Sequence, residues 1–311
     1  MHRRMVGSAP KLRFAPSPNG YLHLGHALSA LVVDDWAKAL RGTFLLRIED
    51  TDLSRRRSEF VHAIYEDLEW LGLSWEEPVL MQSEHLSRYG DAIDQLVSDG
   101  LAYPAPASRS EINRAVAEHE ASGKSWPRDP DGGPLYPFAD RDKEAKRAER
   151  NHERNAPVRD GPAAGRGSDS GPIRLDMDAA LARIGPSPLT VQTMADPTAD
   201  PVTENLDPSV WGDVLLRGRD RPATYHLAVV LDDAFQGITH VVRGKDIEPA
   251  TSLHRLLQEL LGLPTPIYHH HHLIMGRDGR KLSKSEGAKS LRNLRRNGLS
   301  AAEAIDLARS G

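Results

Sequence analysis

The chain has 311 residues and no cysteine, which excludes a disulfide framework, a thiolate-ligated metal and thiol catalysis. Its 40 Lys and Arg against 44 Asp and Glu leave a formal charge of -4, which argues against a protein that coats nucleic acid through its overall field. No apolar run approaches the roughly 18 residues of a membrane span, and the basic residues 1–10 lack the apolar stretch of a signal peptide, so the expected location is cytoplasmic.

In chain order, Lys11 to Phe14 reads as a short strand and Pro16 to Gly20 as turn chemistry. Residues 24–40 carry Leu28, Leu31, Val32 and Trp36 at helical spacing, closed by Gly42. Thr43 to Ile48 has the length and composition of a strand, and Phe60 to Leu71 is an amphipathic helix with Val61, Ile64, Leu68 and Leu71 on one face. This alternation predicts an α/β fold with a parallel sheet whose ligands sit beyond the carboxyl ends of the strands.

The alternation stops near Tyr103. A helical stretch at residues 110–120, a Pro- and Gly-rich segment to Pro134, a densely charged segment at 140–154 and a Gly-, Ala- and Ser-rich stretch at 160–172 follow, the last with the composition of a mobile loop. Alternation resumes with the apolar runs Val214 to Leu216, Tyr225 to Leu231 and Ile238 to Val242, then a helix at 247–261 and a strand ending near Met275. The expected organisation is a catalytic domain in two halves, 1–100 and 196–270, an inserted subdomain at 101–195, and a tail at 271–311 with short helices such as Ser300 to Ala308.

Two motifs carry chemistry. His23-Leu24-Gly25-His26 stands at a turn between a strand and a helix, where free backbone N–H groups and the helix dipole favour anions. The two imidazoles share a helical face and can reach a phosphate oxygen; capping or packing of the turn is the competing explanation. The second motif, Lys281-Leu282-Ser283-Lys284-Ser285, lies in a loop with further cations at Arg277 and Arg280. It is either a solvated charged loop or a clamp of charge-assisted donors for a transferred nucleotidyl phosphate.

The pair HLGH and KLSKS resembles the signatures of class I aminoacyl-tRNA synthetases, in the expected order and separation. RFAPSPNGYLHLGH with LLRIEDTD, the stretch Tyr225 to Ile247 and the stretch His272 to Gly287 resemble the glutamyl-tRNA synthetase branch. The resemblance implies a Rossmann-like parallel sheet split by an inserted subdomain, and a ligase that joins glutamate to ATP as an adenylate.

By the same resemblance His23, Gly25, His26, Lys281, Ser283 and Lys284 would contact ATP, with His23, His26, Lys281 and Lys284 catalytic. Arg13, Phe14, Ala15, Pro16, Ser17, Glu49, Tyr225 and Arg243 would hold glutamate, Glu49 taking its ammonium and Arg13 and Arg243 facing its two carboxylates. Magnesium would arrive with the nucleotide and need no all-protein site. In the acidic run Glu49 to Asp52, a metal site is discounted and Asp50, Thr51 and Asp52 are read as helix capping; the run His269 to His272 is read as alternating strand residues unable to complete a metal site, and Asp232 and Asp233 as structural or pocket-lining.

Two departures from the branch shape the expectation. Only 26 residues follow Ser285, too few for an anticodon-binding region. That architecture is similar to the shorter paralogous group that activates glutamate without tRNA and transfers it to the queuosine base in the anticodon loop of tRNA(Asp). Members of that group often hold zinc with a Cys-x-Cys pair, a Tyr and a further Cys; here Ala105, Ala107, Tyr136 and Asp140 stand at those positions, so no zinc is expected. The implied partners are L-glutamate, ATP and queuosine-bearing tRNA(Asp), with no membrane, and the implied state is a monomer. Arg277 to Arg280 and Arg292 to Arg296 are candidates for tRNA phosphate contacts. A shortened glutamyl-tRNA synthetase charging a tRNA 3' end, a small HxGH-type nucleotidyltransferase and a catalytically idle paralogue are the alternatives.

Overall fold

The computed structural model describes residues 9–52, 56–155, 171–275 and 290–310. Strand β1 (Lys11–Phe14), helix α1 (Leu24–Ala39), β2 (Thr43–Ile48), α2 (Ser58–Trp70), β3 (Glu76–Met81) and α3 (Leu86–Ser98) open the chain. There follow β4 (Ala102–Pro104), α4 (Arg109–Ala121), α5 (Ala139–Asn155), β5 (Ile173–Leu175), α6 (Met177–Ile184), β6 (Leu189–Thr193), β7 (Val202–Leu206) and β8 (Leu215–Arg217). The rest is α7 (Tyr225–Gln236), β9 (His240–Gly244), α8 (Ala250–Leu260), β10 (Ile267–His271), α9 (Leu291–Arg296) and α10 (Ala301–Ser310).

The strands β1, β2 and β3 form a parallel ladder in that order. A second ladder runs β7-β6-β10-β9, parallel except for the β6–β7 hairpin. The two meet where β1 lies beside the start of β9: the Thr239 N–H donates to the Lys11 carbonyl at 3.0 Å, and the Lys11 N–H donates to Thr239 Oγ1 at 2.9 Å. The strand sequence reverses direction at this junction, the place where an open α/β sheet leaves a crevice for a ligand.

Both faces are covered. Leu28, Leu31 and Trp36 of α1 pack with Ile64 and Leu68 of α2, Ala304 and Ala308 of α10, and Leu12, Leu46 and Ile48 of the strands. A second cluster joins Tyr89, Ile93 and Leu96 of α3 to Leu227 and Val230 of α7 and Leu253, Leu256 and Leu257 of α8. Strands buried on both sides explain the continuous apolar run of β2, where Phe44 to Ile48 are all buried.

Several elements differ from their reading in the sequence. The run Tyr225 to Leu231 belongs to helix α7, in which Leu227 to Asp233 are consecutively buried, so no apolar stripe marks it. The charged segment 140–154 lies in helix α5. Residues 160–170 of the Gly-rich stretch lie outside the described residues. Strands β4, β5 and β8 form a separate antiparallel sheet, so Val214 to Leu216 leads into that sheet and not into the main one. Among the described residues no helix is long and apolar enough to cross a membrane.

Candidate active site

A cavity of about 410 Å³ opens at the carboxyl ends of β1, β2, β9 and β10, against the N-terminus of α1. Arg13, Phe14, Ala15, Pro16, Ser17, His23, Gly25, His26, Glu49, Tyr225 and Arg243 all line it. Every one of the glutamate-pocket and HLGH positions named from the sequence is thus at one cavity. Lys281, Ser283 and Lys284 lie outside the described residues. The residues that flank their loop are at the same cavity: Ile274 lines it, Ser290 pairs with His23, and the Leu291 N–H donates to the Leu22 carbonyl at 2.8 Å.

The α1 end is organised by its own histidines. His23 is the N-cap of α1, its Nδ1 accepting from the Gly25 N–H at 3.1 Å, while His26 Nδ1 accepts from the His23 N–H at 3.2 Å. This reciprocal cap satisfies two of the unpaired N–H groups of the first turn. It also fixes chemistry: with both Nδ1 atoms accepting, a neutral ring carries its proton on Nε2. The capping explanation and the phosphate explanation are therefore compatible, since capping prepares two Nε2–H donors. Gly25 leaves room for this arrangement, because a Cβ there would come within 2.9 Å of His23 Cε1.

Opposite this end, charge is arranged in layers. Buried Arg13 gives Asp233 a two-pronged bond, Nε at 2.8 Å and Nη2 at 3.2 Å. Fully buried Arg47 donates to the same Asp233 at 2.7 Å and to Glu49 at 3.3 Å. Burial alone would raise the Asp233 carboxyl, but Arg13 and Arg47 outweigh it and hold it below the usual carboxylate range. Glu49 goes the other way: burial pushes its carboxyl up, against the pull of Arg47 and Arg13. The Glu49 N–H donates to the Pro16 carbonyl at 3.0 Å, which ties the ends of β1 and β2 together at the cavity wall.

Arg243 is surrounded differently. Its Nη1 meets His254 Nδ1 at 2.9 Å, its Nη2 donates to Thr251 Oγ1 at 2.8 Å, and its Nε donates to His270 Nε2 at 3.3 Å. All three acceptors are neutral: burial pushes His270 down to about 3 and, with the Arg243 charge, holds His254 well below the imidazole range. Among the described residues no carboxylate pairs with Arg243, although the residue is 4% exposed. Two of its five N–H groups are left for a ligand. Tyr225, at the first residue of α7, is 36% exposed and presents its ring to the cavity.

Other residues fall away from the chemistry. Asp50 accepts from the Ser83 N–H at 2.8 Å and Ser83 Oγ at 2.7 Å, and Asp52 pairs with Arg221 at 2.6 Å, so this acidic run clamps loops and does not cap α2, whose N-cap is Arg57. Asp232 takes Gln82, Arg88 and Tyr89, each at 2.8 Å, fastening α3 to α7. In the histidine run, His269 lies against Trp36 and bonds the Met194 carbonyl, while His270 turns to Arg243. Among the described residues no three His, Asp or Glu side chains converge as a metal site. At the positions where the sequence resemblance would put zinc ligands, Ala105 is buried in an apolar cluster with Tyr103 and Tyr136, and the Tyr136 hydroxyl donates to Asp142.

The family model for tRNA synthetases class I (E and Q), catalytic domain, matches residues 11–159 and 182–305. A glutamyl-Q tRNA(Asp) synthetase of Rhodobacter capsulatus is 41% identical over 94% of this chain and 96% of its own length. A glutamate–tRNA ligase of a Synechococcus species is 37% identical over 95% of this chain, which spans 56% of that protein. Among solved structures, a glutamate tRNA ligase from Elizabethkingia meningosepticum in complex with its amino acid superposes with a TM-score of 0.65 at 30% identity, covering 94% of this chain and 53% of that one. The chain belongs to the class I tRNA synthetase (E and Q) catalytic-domain family and is a ligase of that family, with an α/β parallel sheet and a helical C-terminal segment.

Proposed function

We propose that the enzyme activates glutamate with ATP in the absence of tRNA, forming glutamyl-adenylate and pyrophosphate, and transfers the glutamyl group to the queuosine base of tRNA(Asp). The observation that carries the amino acid assignment is Arg243, a buried cation on the cavity wall held entirely by neutral acceptors. Such a charge, costly to bury alone, is completed by an anionic substrate. Glu49 across the cavity suits the substrate ammonium, and Arg13, already neutralised by Asp233, suits the second carboxylate through its remaining N–H groups.

In this reading the substrate carboxylate attacks the α-phosphorus of ATP in line and pyrophosphate leaves. The Nε2–H groups of His23 and His26 hold phosphate oxygens, and Lys281 and Lys284 meet the charge that spreads over the phosphates in the transition state. Magnesium enters bound to the nucleotide. The acceptor assignment rests on the 41% identity, over nearly the full length of both chains, to a glutamyl-Q tRNA(Asp) synthetase.

The test has two stages. Glutamate-dependent exchange of pyrophosphate into ATP is measured without tRNA, then transfer of labelled glutamate to tRNA(Asp) with and without queuosine. Exchange without tRNA and transfer only to the queuosine-bearing species is the expected result. Exchange that requires tRNA, or label on the 3'-terminal adenosine of tRNA(Glu), would replace this function with conventional aminoacylation.

A further inference from the structure

Behind Arg243 runs a line of polar groups that ends outside the cavity. His254 Nε2 stands 3.0 Å from His226 Nδ1, and His226 Nε2 stands 3.3 Å from the carboxylate of Asp131, in the segment between α4 and α5. The donors along this line are determined by its first member. A guanidinium only donates, so His254 Nδ1 accepts from Arg243. A neutral His254 then carries its proton on Nε2, which must donate to His226 Nδ1. His226 in turn has its proton on Nε2, facing a carboxylate that only accepts.

We infer that His254 is a positioning residue for Arg243, and that His254 and His226 form a one-way hydrogen-bond relay from Arg243 to Asp131 that fixes the guanidinium for an anionic substrate. The relay does this without placing a negative charge beside the arginine. A carboxylate at the His254 position would hold the guanidinium equally well but would neutralise it. Neutral imidazoles pass the polarisation outward by about two ring widths and end on a half-exposed carboxylate, where solvent screens it. The hydrogen bond from His226 in turn holds Asp131 below the usual carboxylate range. Both rings also lie edge-on to Tyr225, at 5.3 and 5.7 Å between centroids, so the same pair supports a second residue of the cavity wall.

The role in substrate binding rests on the proposed glutamate site; the direction of the relay does not. Two measurements keep these separate. First, long-range proton–nitrogen correlation spectra of the protein labelled with nitrogen-15 histidine report the tautomer of each ring, with H254N and H226Q variants to assign the signals. Both rings are expected to be neutral with the proton on Nε2, and a proton on Nδ1 of either ring overturns the relay whatever the substrate. Second, pyrophosphate exchange is compared in wild type, H254F and H254N. Phenylalanine removes the acceptor, and asparagine returns one at the position of Nδ1. The expected result is a glutamate KM raised about tenfold in H254F, with kcat and the ATP KM unchanged, and largely restored in H254N. Equal glutamate KM in wild type and H254F overturns the positioning role. A wild type that shows no glutamate-dependent exchange overturns the glutamate site and leaves the tautomers to decide the relay.

Discussion

Arg47 donates to Asp233 at 2.7 Å where the side chains of both are almost wholly withdrawn from solvent, 0% and 7% exposed. The same carboxylate binds Arg13 at 2.8 Å, while Arg47 has a second, longer contact to Glu49 at 3.3 Å. Replacing Asp233 by Asn would take the carboxylate from Arg13 and leave Arg47 with only its longer contact to Glu49, in a buried site. We expect D233N to lose roughly 3 to 5 kcal/mol of stability at neutral pH, as when one partner of a buried pair is removed. Because the folded carboxyl is held low, its contribution is present above the unfolded carboxyl pKa of about 3.9 and is lost as pH falls through the lower folded value. Urea unfolding of both proteins should therefore show a gap that is constant above about pH 4 to 5 and narrows below it.

Glu49 has the opposite perturbation, its carboxyl raised by burial. It must be ionised to receive an ammonium, so kcat/KM for glutamate should fall on the acid side at a pH above the ordinary glutamic acid value of about 4.3. At neutral pH E49Q should reduce kcat/KM by about 10- to 100-fold, the worth of a charged hydrogen bond of roughly 1.5 to 3 kcal/mol. The acid limb should vanish in the variant, and the two profiles should converge as wild-type Glu49 takes up its proton. An unchanged acid limb in E49Q would assign that titration elsewhere.

Much of this site was legible because its residues lie in contiguous stretches. Arg13 to Ser17, the HLGH turn, Glu49 and Arg243 lie in stretches that resemble the glutamyl-tRNA synthetase branch, and that resemblance named them; each stands at or beside a strand end or a helix start. What supports them was not legible. Asp233 meets Arg13 across 220 positions and Arg47 across 186, and no spacing encodes such a pair. His254 sits in the mixed sequence of α8 and shows no motif; only the folded distance to Arg243 marks it. Asp50 looked like a cap because it follows a strand and precedes a helix, and its real partner, Ser83, arrives from beyond β3.

Gly25 makes a sharper test of the HLGH turn than either histidine. An added Cβ would stand 2.9 Å from His23 Cε1 and 3.1 Å from Nδ1, so the imidazole must leave its capping position. Loss of a cap costs about 1 kcal/mol, which the rest of the fold absorbs. The larger effect should be on the nucleotide, because the displaced ring no longer holds its Nε2–H toward a phosphate. G25A is expected to raise the ATP KM about tenfold or more in pyrophosphate exchange at saturating glutamate, with the glutamate KM little changed. An unchanged ATP KM would remove the cap from nucleotide binding.

The cluster around Ala105 bears on metal content. Tyr103, Ala105 and Tyr136 are all buried together, with Phe138 and Ile112 packed against them, and the Tyr103 hydroxyl is committed to Asp213 at 2.6 Å. Tyr136 and Asp140 without thiolates or imidazoles do not make a tetrahedral structural site. Elemental analysis of the purified protein is expected to find zinc well below one equivalent, and chelator treatment should leave the unfolding temperature unchanged. One equivalent of tightly held zinc would require ligands other than these.

Asp67 yields a prediction of the opposite sign to Asp233. The residue is fully buried in α2, neither carboxylate oxygen has a hydrogen-bond partner among the described residues, and Arg295 of α9 approaches only to 3.6 Å. Burial pushes its carboxyl up to about 6 from an ordinary 3.8. A folded-state value above the unfolded one means that the folded protein binds the proton more tightly. The resulting stabilisation is complete below about pH 3.8 and is lost as pH rises through about 6. At pH 8 the carboxylate is therefore a burden on the fold, offset only in part by a long contact to a half-exposed arginine. Asn has the shape of the protonated form and no charge to desolvate. D67N should be more stable than wild type by about 1 to 2 kcal/mol at pH 8, with the advantage shrinking toward zero near pH 4. Urea unfolding at pH 4, 6 and 8 decides it: a variant less stable than wild type at pH 8 would mean that the Arg295 contact outweighs the cost of burying Asp67.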